Sequence, residues 1–140
     1  MIALDSSVIV AALLAWHEKH LPAARALEHA LGSKNGVVIP SHALIESYAV
    51  MTRLPAPHRL APADALQLLR DNFATMRLAT FNSRSVWPVL QRLAAKDLAG
   101  GITYDAVILE AASEAGATEL LTLNERDSMR LETPLRILPV

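Results

Sequence analysis

The sequence predicts an α/β protein, a three-layer α/β/α sandwich with helices on both faces of a mostly parallel sheet of four or five strands. Two observations carry this. Short apolar or β-branched bursts recur along the 140 residues, at 2–4, 37–39, 76–79, 119–123 and 135–138, each too short for a helix. Between them lie one or two stretches with the apolar spacing of a helix, and strands separated by helices need crossover connections, which make neighbouring strands parallel.

The elements follow in order. Ile2-Ala3-Leu4-Asp5 is the first strand and runs straight into Ser6-Ser7, residues suited to cap a helix. Residues 8–16 are apolar throughout, as suits a helix buried between layers, and 21–31 carry apolar residues at 23, 24, 27, 30 and 31 with charges between them. Gly32-Ser33-Lys34-Asn35-Gly36 is a turn, and Val37-Val38-Ile39 is the second strand, stopped by Pro40. Ser41 opens a helix that ends before Leu54-Pro55-Ala56-Pro57. Pro62-Ala63-Asp64 begins the next, and 76–79 form a short strand. Ser83 or Ser85 starts a helix to about residue 95, with Pro88 in its first turn, where proline is tolerated. Gly100-Gly101 breaks the chain before an alanine-rich helix over 103–115 that Gly116 closes. A strand at 119–123, a helical turn at 124–130 and a strand at 135–138 complete one domain, 1–140, without repeats or linkers.

Composition narrows the function. With 52% hydrophobic and 19% charged residues the chain has ample apolar matter for a core, which excludes disorder. The absence of cysteine removes disulfides, thiol nucleophiles and cysteine zinc sites, and suits the cytoplasm. The longest apolar run, nine residues, is about half of the ~18 to 20 that span a bilayer, so no membrane anchor is expected. A net charge of -1 gives no global field for coating nucleic acid, and two each of Trp, Tyr and Phe are too few for a base-stacking sheet. The five histidines lack zinc-site spacing, and neither a phosphate-binding P-loop nor a G-x-S-x-G serine elbow is present.

In a parallel sheet, ligands bind beyond the carboxyl ends of the strands. The residues there are acidic: Asp5 closes the first strand, Glu46 lies on the helix after the second, Asp105 is in the first turn of the alanine-rich helix, and Asn124 and Asp127 follow the strand at 119–123. Asp105 precedes Ile108 and Leu109 by three and four residues, and Glu46 shares a stripe with Ala49 and Val50, so both edge onto apolar faces. Carboxylates gathered on one rim raise one another's pKa unless a cation intervenes, and all-oxygen ligation suits Mg²⁺ or Mn²⁺. The chemistry such a site supports is metal-assisted phosphodiester hydrolysis. Each residue also has a structural alternative: Asp5 as an N-cap, Glu46 as a solvated helix residue, Asp105 as a complement to its helix dipole, and Asn124 with Asp127 as a capping box.

The order and spacing of Ile2-Ala3-Leu4-Asp5-Ser6-Ser7, Ile39-Pro40 with Glu46, Thr103-Tyr104-Asp105-Ala106, and Leu120 through Asp127 resemble a PIN-domain ribonuclease, most closely the VapC-like toxins of toxin–antitoxin pairs. The resemblance spans essentially the whole chain. It implies an α/β/α fold, a Mg²⁺- or Mn²⁺-dependent endoribonuclease toxin, a homodimer, and a VapB-like antitoxin that blocks the site. Carried over by position, Asp5, Glu46 and Asp105 match the metal-binding acids, and Asn124 and Asp127 the remaining catalytic positions. Ser6 and Thr122 resemble the hydroxyl residues that support the metal ligands. Ser128 stands where phenylalanine is common. Arg53, Arg59 and Arg126 are candidates for holding RNA phosphates. Two other readings stay open: a PIN nuclease with a housekeeping role in RNA processing, and a PIN-like module that binds RNA or a partner without cleaving. The apolar excess also predicts an exposed patch that marks an interface.

Overall fold

In the computed structural model, which describes residues 1–140, five strands form one parallel sheet. They are β1 (Ile2–Leu4), β2 (Val37–Pro40), β3 (Arg77–Ala79), β4 (Glu119–Thr122) and β5 (Arg136–Pro139), in the order β3-β2-β1-β4-β5. The central strand is the most apolar: Ile2, Ala3 and Leu4 are all buried. Its register sets Ala3 opposite Val38 on one side and Leu120 on the other.

Seven helices complete the sandwich: α1 (Ser6–Leu13), α2 (His20–Leu31), α3 (Ser41–Arg53), α4 (Pro62–Phe73), α5 (Val86–Ala95), α6 (Ile102–Glu114) and α7 (Glu125–Arg130). From β1 the chain steps outward to β2 and β3, then jumps back over β1 to β4 and out to β5. Right-handed crossovers in opposite directions put α1 to α4 on one face and α5 to α7 on the other. Within each face α1 packs against α2 and α3, α3 against α4, α5 against α6 and α6 against α7; α3 also meets α6. One cluster of 28 buried residues links both faces through the sheet.

Local chemistry explains the boundaries. α4 begins with Pro62 in its first turn, where the missing N–H is not needed. α6 ends at Gly116, whose φ of +85° lets Ala117 donate its N–H to the Ala112 carbonyl at 3.0 Å. The structure corrects one boundary. The apolar run over 8–16 predicts a helix of that length, but α1 stops at Leu13. Beyond it the chain turns, with Trp16 partly exposed, and the His20 imidazole Nδ1 meets the Ala11 carbonyl at 3.1 Å, so the start of α2 caps the end of α1.

Sequential steps in opposite directions leave a crevice beside β1 where its two neighbours diverge, and in open α/β sheets ligands bind at such a switch point. Asp5 follows β1 directly and Thr122 ends β4, so both lie at this crevice.

The central strand bears the most on stability. Leu4→Ala is expected to cost about 2 to 5 kcal/mol, whereas Leu66→Ala on the exposed side of α4 should cost less than about 1 kcal/mol. Urea unfolding of the two variants measures the difference.

Candidate active site

The site is built around Asp5. It is the N-cap of α1, with φ -85° and ψ 154°, and its Oδ1 accepts the Ser6 N–H at 2.8 Å. Capping leaves Oδ2 free for other donors, and it takes two: the Ser7 hydroxyl at 2.6 Å and the Thr122 hydroxyl at 2.7 Å. Asp5 is only 6% exposed, so these bonds supply the donors that a buried carboxyl group needs. The donors are themselves held. Ser7 Oγ accepts the Leu123 N–H at 3.1 Å and Thr122 Oγ1 accepts the Asn124 N–H at 2.9 Å, which locks the end of β1 to the turn after β4.

Ser7 escapes the sequence reading, which assigns the supporting hydroxyl to Ser6. The Ser6 hydroxyl stands 3.5 Å from Oδ1, and its main contribution is its backbone N–H. The signal was the adjacent Asp-Ser-Ser triplet, whose two hydroxyls are separated only by the phase at which the helix begins.

The other acids reach the same rim from different elements. Glu46 is in the second turn of α3, partly buried, and its Oε2 is buried without any hydrogen-bond partner. Asp105 is in the first turn of α6. Its pKa is raised from 3.8 to about 7, first by burial and then by the negative charges of Asp5, Glu46 and Asp127. The same residue therefore feels carboxylates carried by the β1–α1 junction, α3 and α7, which brings those acids together electrostatically. No three Asp, Glu or His side chains already enclose a cation-sized space. The cluster is open.

Asn124 and Asp127 behave differently from one another. Asn124 is the N-cap residue of α7, but its side chain makes no capping bond, so the capping-box alternative lacks its first half. Asp127 pairs with Arg130 at 3.4 Å, one turn on, while adding to the field on Asp105. Ser128 is buried and donates its hydroxyl to the Asn124 carbonyl at 3.1 Å, so a small polar residue fills the position with a bond of its own.

The arginines are scattered. Arg53 is exposed at the end of α3, seven residues and so about 10 Å along the same face from Glu46. Arg126 is exposed in the first turn of α7 beside Asp127. Arg59 donates its Nε to the Leu54 carbonyl at 2.8 Å, tying it to the α3–α4 connection.

The Asp105 carboxyl sets a pH signature. Its folded pKa lies above its unfolded value, so the folded state binds an extra proton between about pH 4 and pH 7, and its contribution to stability is lost as pH rises through that window. Asp105→Asn removes the ionisation. In cation-free buffer at pH 8 the variant should be more stable by on the order of 1 kcal/mol, because solvent screens a half-buried group, and the two proteins should converge near pH 4. Thermal unfolding across pH 4 to 8 measures this difference.

Comparison with known proteins agrees with the fold. Residues 2–130 match the PIN domain family. The chain is 42% identical over 137 residues to ribonuclease VapC40 of Mycobacterium tuberculosis, covering 98% of this chain and 94% of that protein. Among solved structures it resembles Mycobacterium tuberculosis VapC20, a sarcin-ricin loop cleaving toxin, with a TM-score of 0.74 at 17% identity over 97% of this chain and 99% of the other. It also resembles VapBC2 from Rickettsia felis bound to a DNA fragment from their promoter, with a TM-score of 0.72 at 20% identity over 100% and 99% of the two chains. With acids on the rim, a five-stranded parallel sheet and this degree of identity, the chain belongs to the PIN domain family and is a VapC-like member of it.

Proposed function

We propose that this chain is an endoribonuclease that hydrolyses RNA phosphodiester bonds with Mg²⁺ or Mn²⁺ held by Asp5, Glu46 and Asp105, and that it acts in the cytoplasm as the toxin of a toxin–antitoxin pair. The observation that carries the reading is the convergence on one rim of Asp5, held by Ser6, Ser7 and Thr122, with Glu46, Asp127 and Asp105, whose pKa is raised by burial and by the charges of the other three. The unpartnered Glu46 Oε2 supports it, because a buried carboxylate oxygen without a donor is costly until a cation satisfies it. The name of the relative at 42% identity, a ribonuclease, supports the activity.

The donor set fits a hard cation: every group is a carboxylate or hydroxyl oxygen, and Mg²⁺ commonly keeps several waters while taking one or two carboxylates directly, so an open cluster suits it. Bound there, the cation supplies a water of lowered pKa and offsets phosphate charge. The protein does the rest. Ser6 N–H, Ser7 and Thr122 orient Asp5, and Asp105, whose pKa is raised by burial and by its acidic neighbours, would give up its proton to offer the cation a carboxylate. Asp127 deepens the negative field, and Asn124 at the head of α7 faces the substrate side in this reading. Arg53 and Arg126 are exposed and free of ion pairs, which suits them to hold RNA phosphates, while Arg59 has only its outer nitrogens to offer.

The toxin role rests on the likeness to VapC proteins, one of them solved as a VapBC complex. A VapB-like antitoxin would block this rim with an arginine or lysine among the carboxylates, arginine matching them in bidentate fashion. Exposed Ile45 and Tyr48 on α3, Leu66 on α4 and Leu78 on the edge strand β3 form an apolar strip that supports a homodimer. No helix is long and apolar enough to cross a membrane.

Purified protein should cleave RNA with Mg²⁺ or Mn²⁺, lose activity in EDTA, and lose at least ~100-fold in Asp5→Asn and Asp105→Asn, a change of about 2.7 kcal/mol in the barrier. Gel assays on single-stranded RNA measure this, and full cleavage in EDTA would contradict the metal.

A further inference from the structure

Composition argues against an aromatic sheet, yet the fold assembles a small aromatic ledge at the acid rim. His42, in the first turn of α3, and Tyr104, in the first turn of α6, stack with ring centroids 5.3 Å apart and planes 10° from parallel. His42 lies one helical turn before Glu46, on the same face, and Tyr104 directly precedes Asp105. The two acid-bearing helices thus meet through these rings. Tyr104 is 53% exposed, and neither ring takes part in any side-chain hydrogen bond, so the pair is not buried for packing or fixed by polar contacts.

We propose that His42 and Tyr104 form a platform on which one base of single-stranded RNA stacks, placing an adjacent phosphate over the acid cluster. This rests on the ribonuclease reading and adds a substrate-positioning element to it. The physical need is plain. A rim crowded with carboxylates repels the RNA backbone, and a chain of net charge -1 offers no compensating field. Stacking on a ring face is attractive for any base and nearly independent of salt, so it grips the substrate without neutralising the acids that the chemistry needs. Because every base has a π-face, the platform positions RNA with little sequence preference of its own.

The test measures binding and cleavage separately, on the full chain. Binding of a fluorescein-labelled single-stranded RNA is followed by anisotropy in EDTA, and cleavage of the same RNA by the unsubstituted protein is followed with Mn²⁺. Tyr104→Ala and Tyr104→Leu should each weaken binding about 5- to 150-fold, equally at low and high salt, while Tyr104→Phe stays within about threefold. His42→Ala should show a smaller loss in the same direction. Leucine keeps apolar bulk, so it holds the fold if alanine does not. Unchanged RNA binding in the leucine variant together with a lowered unfolding temperature would overturn the proposal and make the stack a brace between α3 and α6. A loss that disappears at high salt would also overturn it. Failure of the unsubstituted protein to cleave RNA with Mn²⁺ would count against the ribonuclease reading instead, whatever the variants bind.

Discussion

The Asp5 carboxylate is the constraint on which the site depends. It closes the central strand, caps the first helix and draws the Thr122 hydroxyl across from the neighbouring strand, three tasks for one side chain. A buried anion at that point would cost several kcal/mol without donors. The fold surrounds it with a backbone N–H and two hydroxyls, and both hydroxyls are held by a further bond. Those further bonds reach Leu123 and Asn124, so the geometry of the turn after β4, and of α7 beyond it, is set by the need to keep one carboxylate solvated by protein.

Asp105 shows the opposite balance. It has no such shell, and its neighbours are acids, so burial and repulsion raise its pKa to about 7. Glu46 has one oxygen with no partner at all. Two acids are therefore left in states that a single cation would relieve, next to a third already fixed in place. The cost to stability falls on Asp105, whose carboxyl pKa is raised by burial and like charges, and on the buried, unpartnered oxygen of Glu46.

Much of the fold was legible because the strands are short apolar bursts and the helices carry their own stops: Pro40 and Pro62 at boundaries, Gly116 at a C-terminus. The end of α1 was not legible, since the apolar run continues through Trp16 and only the tertiary contact of His20 with Ala11 shows why the helix stops. At the site, the position of acids after strands was readable from sequence, because strand order fixes which end of the sheet they share. The role of Ser7 was not, because it depends on helix phase. Nor was the behaviour of Asn124 and Asp127: their spacing suits a capping box, but the backbone at Asn124 does not adopt the geometry that would bring its side chain to the helix N–H groups. The His42–Tyr104 stack joins residues 62 positions apart in the chain and has no local signature.

In the proposed arrangement the anchored Asp5, the unpartnered Glu46 and the raised-pKa Asp105 form one cation site. The most direct measurement is an anomalous difference map from a crystal grown with Mn²⁺. A peak is expected in the space bounded by the Asp5, Glu46 and Asp105 carboxylates, with Glu46 Oε2 turned toward it. A peak elsewhere, or none at saturating Mn²⁺ with all three acids intact, would contradict it.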